Sequence, residues 1–366
     1  NLPYDVVVER LHIEEPEPPA PVTEPEKTFE EVLDEHPVSI RVNGQWQTFP
    51  NARAAEEAAY GEYKDNLRRT AENFRITDDH LGEGGPKAKF QANIAAIKLL
   101  KYLEETTEQA TPEQQEILSR YVGWGGLADA FDPEKPAWAA EYTQLKALLT
   151  PEEYAAARGS TLNAHYTSPT VIKAIYEAVG RMGFETGNIL EPSMGVGNFF
   201  GMLPEKMRNS HLYGVELDPV SGRIAKQLYP KADITVGGFE TTDRRDFFDL
   251  AIGNVPFGQY QVNDKAYNKL NLSIHNYFFA KALDQVRPGG VVAFVTSRYT
   301  MDAKDSTVRR YLAQRAELLG AIRLPNDAFK KNAGAEVVSD IIFLQKRDRP
   351  LDIVPEWTQT GQTEDG

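Results

Sequence analysis

Short apolar runs separated by helix-length polar stretches dominate the second half of the chain. The runs are NILEPS (188–193), HLYGVEL (211–217), ADITV (232–236), FFDLAIGN (247–254), GVVAFVTS (290–297), LLGAIRL (318–324) and VSDIIFLQK (338–346). That alternation predicts an α/β fold with a mainly parallel sheet. Sheets of this kind hold their ligands at the carboxyl ends of the strands. The residues just after each run are therefore the candidates for function.

Upstream the period changes. VSIRVNGQWQTF (38–49) has two short alternating runs about Asn43-Gly44, a hairpin signal. Residues 52–72 and 88–105 read as helices. In the second, Phe90, Ile94, Ile97 and Leu100 repeat at steps of four and three, one face of a helix. Thr111, Pro112 and Glu113 form a helix start. Residues 14–27, EEPEPPAPVTEPEK, are too rich in Pro and Glu to bury apolar area and read as an extended linker. The expected organisation is an acidic Pro/Glu-rich linker (1–36), a mainly helical module with a short hairpin (37–160), the α/β domain (161–348) and a C-terminal tail (349–366).

Composition narrows the class. The 366 residues are 41% hydrophobic and 26% charged, as in globular proteins. No apolar run is long enough to span a membrane, and no basic region followed by an apolar core opens the chain. With no cysteine there is no disulfide or thiolate ligand, which fits a reducing, cytoplasmic setting. The chain begins at Asn1 rather than Met, as expected of a piece of a longer protein. The net charge of −14 argues against a simple nucleic-acid binder. Residues 1–36, however, hold eleven Asp/Glu against Arg10 and Lys27, so the remainder carries only −5 and leaves room for a local basic groove.

The strand ends carry distinctive chemistry. EPSMGVGNFF (191–200) puts Gly195 and Gly197 in a tight turn that lets a ligand approach the backbone. Phe200 stands where a dinucleotide fingerprint has a third glycine, so a ligand without a pyrophosphate fits better. Glu216, twenty-one residues past Gly195, either accepts both hydroxyls of a ribose or is a solvated carboxylate. Phe239 either stacks on a purine or packs in the core. After the fourth run, Asn254 offers an amide acceptor and Val255, held extended by Pro256, a directed carbonyl. Phe257 adds a flat ring. Two acceptors and a ring suit a planar amine; the plain alternative is a β-turn.

Together these residues resemble the S-adenosylmethionine-dependent methyltransferases, and within them the N6-adenine DNA methylases. Asn254-Val255-Pro256-Phe257 is similar to that family's Asn-Pro-Pro-Tyr/Phe, and LEPSMGVGNF to its D/E-P-x-x-G-x-G-x-F. LNAHYTSPTVI (162–172) resembles the segment that touches the methionine end of the cofactor. The resemblance spans about residues 160–347. It implies a Rossmann-like sheet of seven strands, mostly parallel with the last antiparallel, and S-adenosylmethionine as cofactor. It further implies that Tyr166 and Thr167 contact the methionine moiety, that Glu191, Pro192, Gly195 and Gly197 line the cofactor, that Glu216 holds the ribose and that Phe239 lies on the adenine. Asn254 and the Val255 carbonyl would receive the amine of a flipped DNA adenine, with Pro256 stiffening the turn and Phe257 stacked on the base. The family often has an acid before the aromatic of the third loop; Gly238 stands there. Residues 73–100 and 120–132 resemble the region ahead of the methylase domain in large mobile-element proteins that join it to a helicase of the SNF2 type.

Further readings stay open. A glutamine amide in a protein would suit the same acceptors, and a non-catalytic fold binding DNA or a partner would tolerate the departures at Gly238 and Val255. His165 reads as structural. Trp124, set among glycines in VGWGGL (122–127), is a plug or a DNA wedge. Phe329 packs on a flipped base or anchors its loop, and Lys330 and Lys331 meet phosphates or solvent.

Overall fold

A computed structural model of the chain describes residues 36–161, 167–325 and 338–361. The described residues up to Thr70, with Thr107–Gln109, form one compact unit; those of Ala71–Thr106 and from Ala110 onward form the other. In the first, strands β1 (Val38–Val42) and β2 (Gln45–Phe49) pair antiparallel around Asn43 and Gly44, both at positive φ as a tight hairpin turn requires. Helix α1 (Ala52–Thr70) adds Ala55 to a small core with Ile40 and Val42.

The second unit is built on seven strands: β3 (Asn188–Glu191), β4 (His211–Glu216), β5 (Asp233–Val236), β6 (Phe248–Asn254), β7 (Val286–Ser297), β8 (Ala316–Arg323) and β9 (Ser339–Lys346). Their order is β5-β4-β3-β6-β7-β9-β8. The first five are parallel to one another, and β9 runs antiparallel to both β7 and β8. All seven apolar runs of the sequence are strands, and the last in the chain is the antiparallel one, as expected of a Rossmann-like methyltransferase sheet.

Both faces of the central strands are covered, which is why β3, β6 and β9 are near-continuously apolar, while edge strand β8 is largely exposed. Leu250 and Ile252 of β6 enter one core and Ala251 the other, the alternation a strand imposes. Helices α2 (Pro86–Thr106), α3 (Pro112–Ser119), α6 (Pro169–Arg181), the single turn α7 (Asn198–Gly201) and α8 (Pro219–Leu228) feed the first core; α9 (Ile274–Gln285), the single turn α10 (Tyr299–Asp302) and α11 (Thr307–Arg315) feed the second. The helices of 86–160 that precede the sheet, including α4 (Ala139–Leu148) and α5 (Pro151–Ser160), thus belong to the same compact unit as the sheet. Residues 349–361 are fastened to α11: the Arg309 guanidinium, 1% exposed, donates to the Thr358 carbonyl at 2.9 Å. Among the described residues no helix is long and apolar enough to cross a membrane.

Strand order reverses between β3 and β6. β4 and β5 lie on one side of β3, and β6 and β7 on the other. The carboxyl ends of these parallel strands share one rim, and the crevice sits there.

Candidate active site

A cavity of about 580 Å³ opens on that rim. Its wall includes Thr167, Glu191, Pro192, Gly195, Glu216, Phe239, Asn254, Val255 and Pro256. Nine residues singled out by sequence, from five segments, therefore face one space. Gly197 and Phe257 do not line it. Tyr166, Phe329, His165, Lys330 and Lys331 lie outside the described residues.

Each position follows from local structure. The turn after β3 is closed by the Gly197 N–H donating to the Met194 carbonyl at 2.8 Å, and the Met194 N–H donates to the Val215 carbonyl at 3.0 Å. Gly195 has φ +56° and open space where a Cβ would project. Gly197 has φ +85°, and a Cβ there would overlap the Tyr229 ring. Its glycine serves packing beneath the loop, not the cavity. Residues 198–201 make only one helical turn, so no long helix dipole points at the space.

Glu216, half-buried at the end of β4, accepts from the Gly195 N–H at 2.7 Å and the Asp218 N–H at 2.8 Å. Burial pushes its carboxyl up to about 7; the two N–H bonds oppose the shift and the Asp218 charge adds to it. Asp218 caps α8, with Oδ2 accepting from the Ser221 N–H at 2.8 Å and hydroxyl at 2.6 Å, while its Oδ1 is buried without a partner. Glu191 is 2% exposed, and its Oε2 has no hydrogen-bond partner. Burial, then the nearby Glu216, holds its carboxyl well above the usual range. A Cβ at Gly253 would meet Glu191 Cγ at an ordinary 3.4 Å; the φ of +153° is what favours glycine there.

Asn254 ends β6, and the Val255 N–H continues the ladder by donating to the Val295 carbonyl at 3.1 Å. The Asn254 amide nitrogen donates to the Thr167 hydroxyl at 3.1 Å. Thr167 is itself fixed just ahead of Ser168, the N-cap of α6, whose hydroxyl accepts from the Val171 N–H with Pro169 in the first turn. The bond to Thr167 holds the amide plane in place.

Phe239 both packs and lines. It is 3% exposed, its ring lies 5.0 Å from that of Phe278, and one side faces the cavity. The Glu240 carboxylate folds back over Gly238, into the volume a side chain at 238 would fill, and lines the same wall. An acid thus stands at the third loop although position 238 is glycine. Phe257 is half-buried against the larger core, and Tyr260, 47% exposed, supplies the ring on the cavity wall from that loop. Behind it, Asp264 accepts from Lys281 and the Tyr277 hydroxyl, each at 2.9 Å, tying the loop to α9. Lys281 and Tyr277 draw the Asp264 carboxyl below its usual range against the opposing effect of burial.

Sequence reasoning missed Tyr121, Gly123, Asp218, Glu240 and Tyr260. Only Asp218 carried a local signal, Asp-Pro at a helix start. Trp124 is 1% exposed and edge-on to Phe90, Tyr121 and Phe131, a buried plug.

Residues 148–354, more than half of the chain, match the family model for the N-6 DNA methylases. The chain belongs to the N-6 DNA methylase family. Over 272 residues, 72% of its length, it is 28% identical to the defense against restriction protein B of Escherichia phage P1, and over 92 residues 38% identical to the type II methyltransferase M.CvrRI of Paramecium bursaria Chlorella virus XZ-6E. The aligned stretches are 10% of the phage protein and 24% of the viral one. Among solved structures, this methylase is similar to a protein described as a class I S-adenosylmethionine-dependent methyltransferase from Listeria monocytogenes (17% identity, TM-score 0.46, 74% of this chain and 91% of that one). It is also similar to a modification subunit of a type I restriction enzyme from Vibrio vulnificus YJ016 (14%, 0.41, 81% and 84%). The fold assignment rests on the strand order of the methylase sheet itself.

Proposed function

We propose that this methylase transfers the methyl group of S-adenosylmethionine to the exocyclic amine of adenine in DNA. The observation that carries the reading is that Glu216, between two backbone donors, and Asn254, held by Thr167, face one cavity. The residues present fit the cofactor. Glu191 lines the space and keeps a buried carboxyl oxygen without a hydrogen-bond partner, suited to an ammonium, and the second acid, Glu216, suits a ribose diol. Phe239 offers a flat apolar wall and Glu240 an acceptor for a ring amine.

When bound, the sulfonium supplies an electrophilic methyl carbon. The chain's own part is positioning. The Asn254 amide oxygen and the Val255 carbonyl accept hydrogen bonds from the target amine, favouring a more tetrahedral nitrogen whose lone pair is less delocalised into the ring. Thr167 and the β6–β7 ladder hold both acceptors before the substrate arrives, so little reorganisation accompanies attack. Pro256 restricts the turn, and Tyr260, three residues after Phe257, offers aromatic area to offset unstacking of the base, a cost of about a few kcal/mol. The resemblance of residues 73–100 and 120–132 supports a place within a longer, motor-linked protein.

The test is transfer of label from S-adenosylmethionine to plasmid DNA with nucleoside analysis, for wild type and Asn254→Ala. N6-methyladenine from wild type and about 100-fold less, or lower still, from the variant is the expected result. A wild-type protein that binds the cofactor but yields no N6-methyladenine rejects the substrate; label appearing on glutamine of added peptides instead would redirect it.

A further inference from the structure

Tyr121 belongs to neither the strand ends nor the stretch that matches the family, yet it reaches the same cavity. It follows the C-cap of α3 and is 1% exposed. Its hydroxyl is buried without a hydrogen-bond partner. The Ser221 hydroxyl and the Trp124 indole lie near enough to influence it, but neither is its hydrogen-bond partner. Desolvation, and then the Asp218 carboxylate, hold the phenol strongly protonated, so it stands as a donor. A buried O–H with nothing to receive it is costly, and folds avoid such atoms unless something else occupies them.

The surroundings keep it in place. Asn93, fully buried on α2, clamps the two residues that follow Tyr121: its amide oxygen accepts from the Val122 N–H at 2.9 Å and its nitrogen donates to the Gly123 carbonyl at 2.6 Å. Gly123 follows at φ +72°, a turn that a side chain would strain. Trp124 sits edge-on to the Tyr121 ring, with centroids 6.3 Å apart. Gln115 donates to the carbonyls of Gln227 and Leu228, tying α3 to the end of α8, whose N-cap is Asp218. The phenol and the Glu216–Asp218 corner are thus parts of one braced assembly.

We propose that Tyr121 is a ligand-binding residue for the ribose of an adenosyl cofactor, donating its hydroxyl proton to a ribose oxygen whose own protons go to the Glu216–Asp218 corner. This deepens the reading that the cavity takes S-adenosylmethionine and rests on it. The chemistry is complementary. Carboxylates accept from a diol but leave its oxygen lone pairs unserved, and a rigid phenol beside them supplies the donor they lack. The Asp218 Oδ1 atom, also orphaned, is the second acceptor at that corner. The pairing makes the site selective for a ribose over a deoxyribose.

Titration calorimetry with S-adenosylhomocysteine and with its 2′-deoxy and 3′-deoxy analogues, on wild type and Tyr121→Phe, tests it. Removing the hydroxyl is expected to weaken S-adenosylhomocysteine about tenfold. It is also expected to shrink the penalty wild type shows against one of the deoxy analogues. Without ligand, Tyr121→Phe should melt at or above the wild-type temperature, since it deletes an unsatisfied group. Equal affinities in wild type and variant would overturn the role of Tyr121 while leaving the cofactor reading intact. A clear drop in melting temperature without ligand would overturn it too, because the hydroxyl would then be paired within the fold. Absence of any binding by folded wild type would remove both.

Discussion

The Gly195 N–H and the Glu216 carboxylate meet at 2.7 Å, joining the turn after β3 to the end of β4. The bond favours the charged carboxylate that burial disfavours, and the balance falls at about 7. The sign of the linkage follows. The folded-state value lies above the ordinary 4.5, so the contribution of Glu216 to stability is full below about 4.5 and is lost as pH rises to about 7. In the ligand-free protein, the unfolding free energy of wild type relative to Glu216→Gln should decline across that window and then level off. Urea titrations at pH 4.5, 6, 7 and 8 measure it. S-adenosylhomocysteine should bind more tightly as pH rises through about 7, with proton release visible as buffer-dependent enthalpy; pH-independent binding would contradict a diol on the charged carboxylate.

Asn254 and Thr167 are coupled by one hydrogen bond, and their substitutions should differ in scale. Asn254→Ala removes an acceptor of the target amine and should lower kcat by about 100-fold or more. Thr167→Ala only frees the amide to rotate and should cost about tenfold. Single-turnover methylation under saturating cofactor separates the two, and equal losses would mean Thr167 touches the substrate itself.

The two glycines of the first loop are there for different reasons. Gly197→Ala places a Cβ into the Tyr229 ring at positive φ and should destabilise the fold by about 2–4 kcal/mol. Gly195→Ala meets no neighbour and should cost about 1 kcal/mol in stability, yet weaken the adenosyl ligand because the methyl group enters the cavity. Denaturant titration and calorimetry on both variants give the comparison.

Lys281, with a side chain only 5% exposed, pairs with Asp264 at 2.9 Å. Lys281→Met removes the counter-charge of a part-buried carboxylate that keeps the Tyr277 hydroxyl, and should cost about 1–3 kcal/mol. Because Asp264 lies in the loop that carries Tyr260, hydrogen exchange over residues 256–272 should accelerate. A destabilised variant with unchanged exchange there would show that the pair braces α9 alone.

Tyr260 rather than Phe257 faces the cavity. Tyr260→Ala should raise the KM for DNA about tenfold with little change in stability, whereas Phe257→Ala, which removes a ring packed on the core, should lower the melting temperature. If instead Phe257→Ala raises the KM in a protein of normal stability, the base meets that ring.

Much of the site was legible because it is built from strand ends. An apolar run marks a strand locally, and a parallel sheet brings the residues after β3, β4, β5 and β6 to one rim whatever the loops do. Glu191, Glu216, Phe239 and Asn254 were readable for that reason. The direction of a side chain at the end of a flexible turn is not a local property, which is why Gly197 and Phe257 leave the cavity while Glu240 and Tyr260 enter it. The glycine at 238 looked like a missing acid because the carboxylate that folds back over it belongs to a residue two positions later.

The sequence by itself determined the seven strands, the hairpin at Asn43-Gly44 and the polar residues at the strand ends, since these depend on periodicities and turn preferences a few residues long. Only the tertiary structure decided that α2 and α3 join the sheet's unit, and that Tyr121 reaches a wall shared with Glu216. That wall depends on the Asn93 clamp, the buried Trp124 and the Gln115 tie to α8, contacts between residues up to 113 positions apart. Packing at such separation leaves no period in the chain, because it is set by which surfaces exclude water together once the sheet has formed.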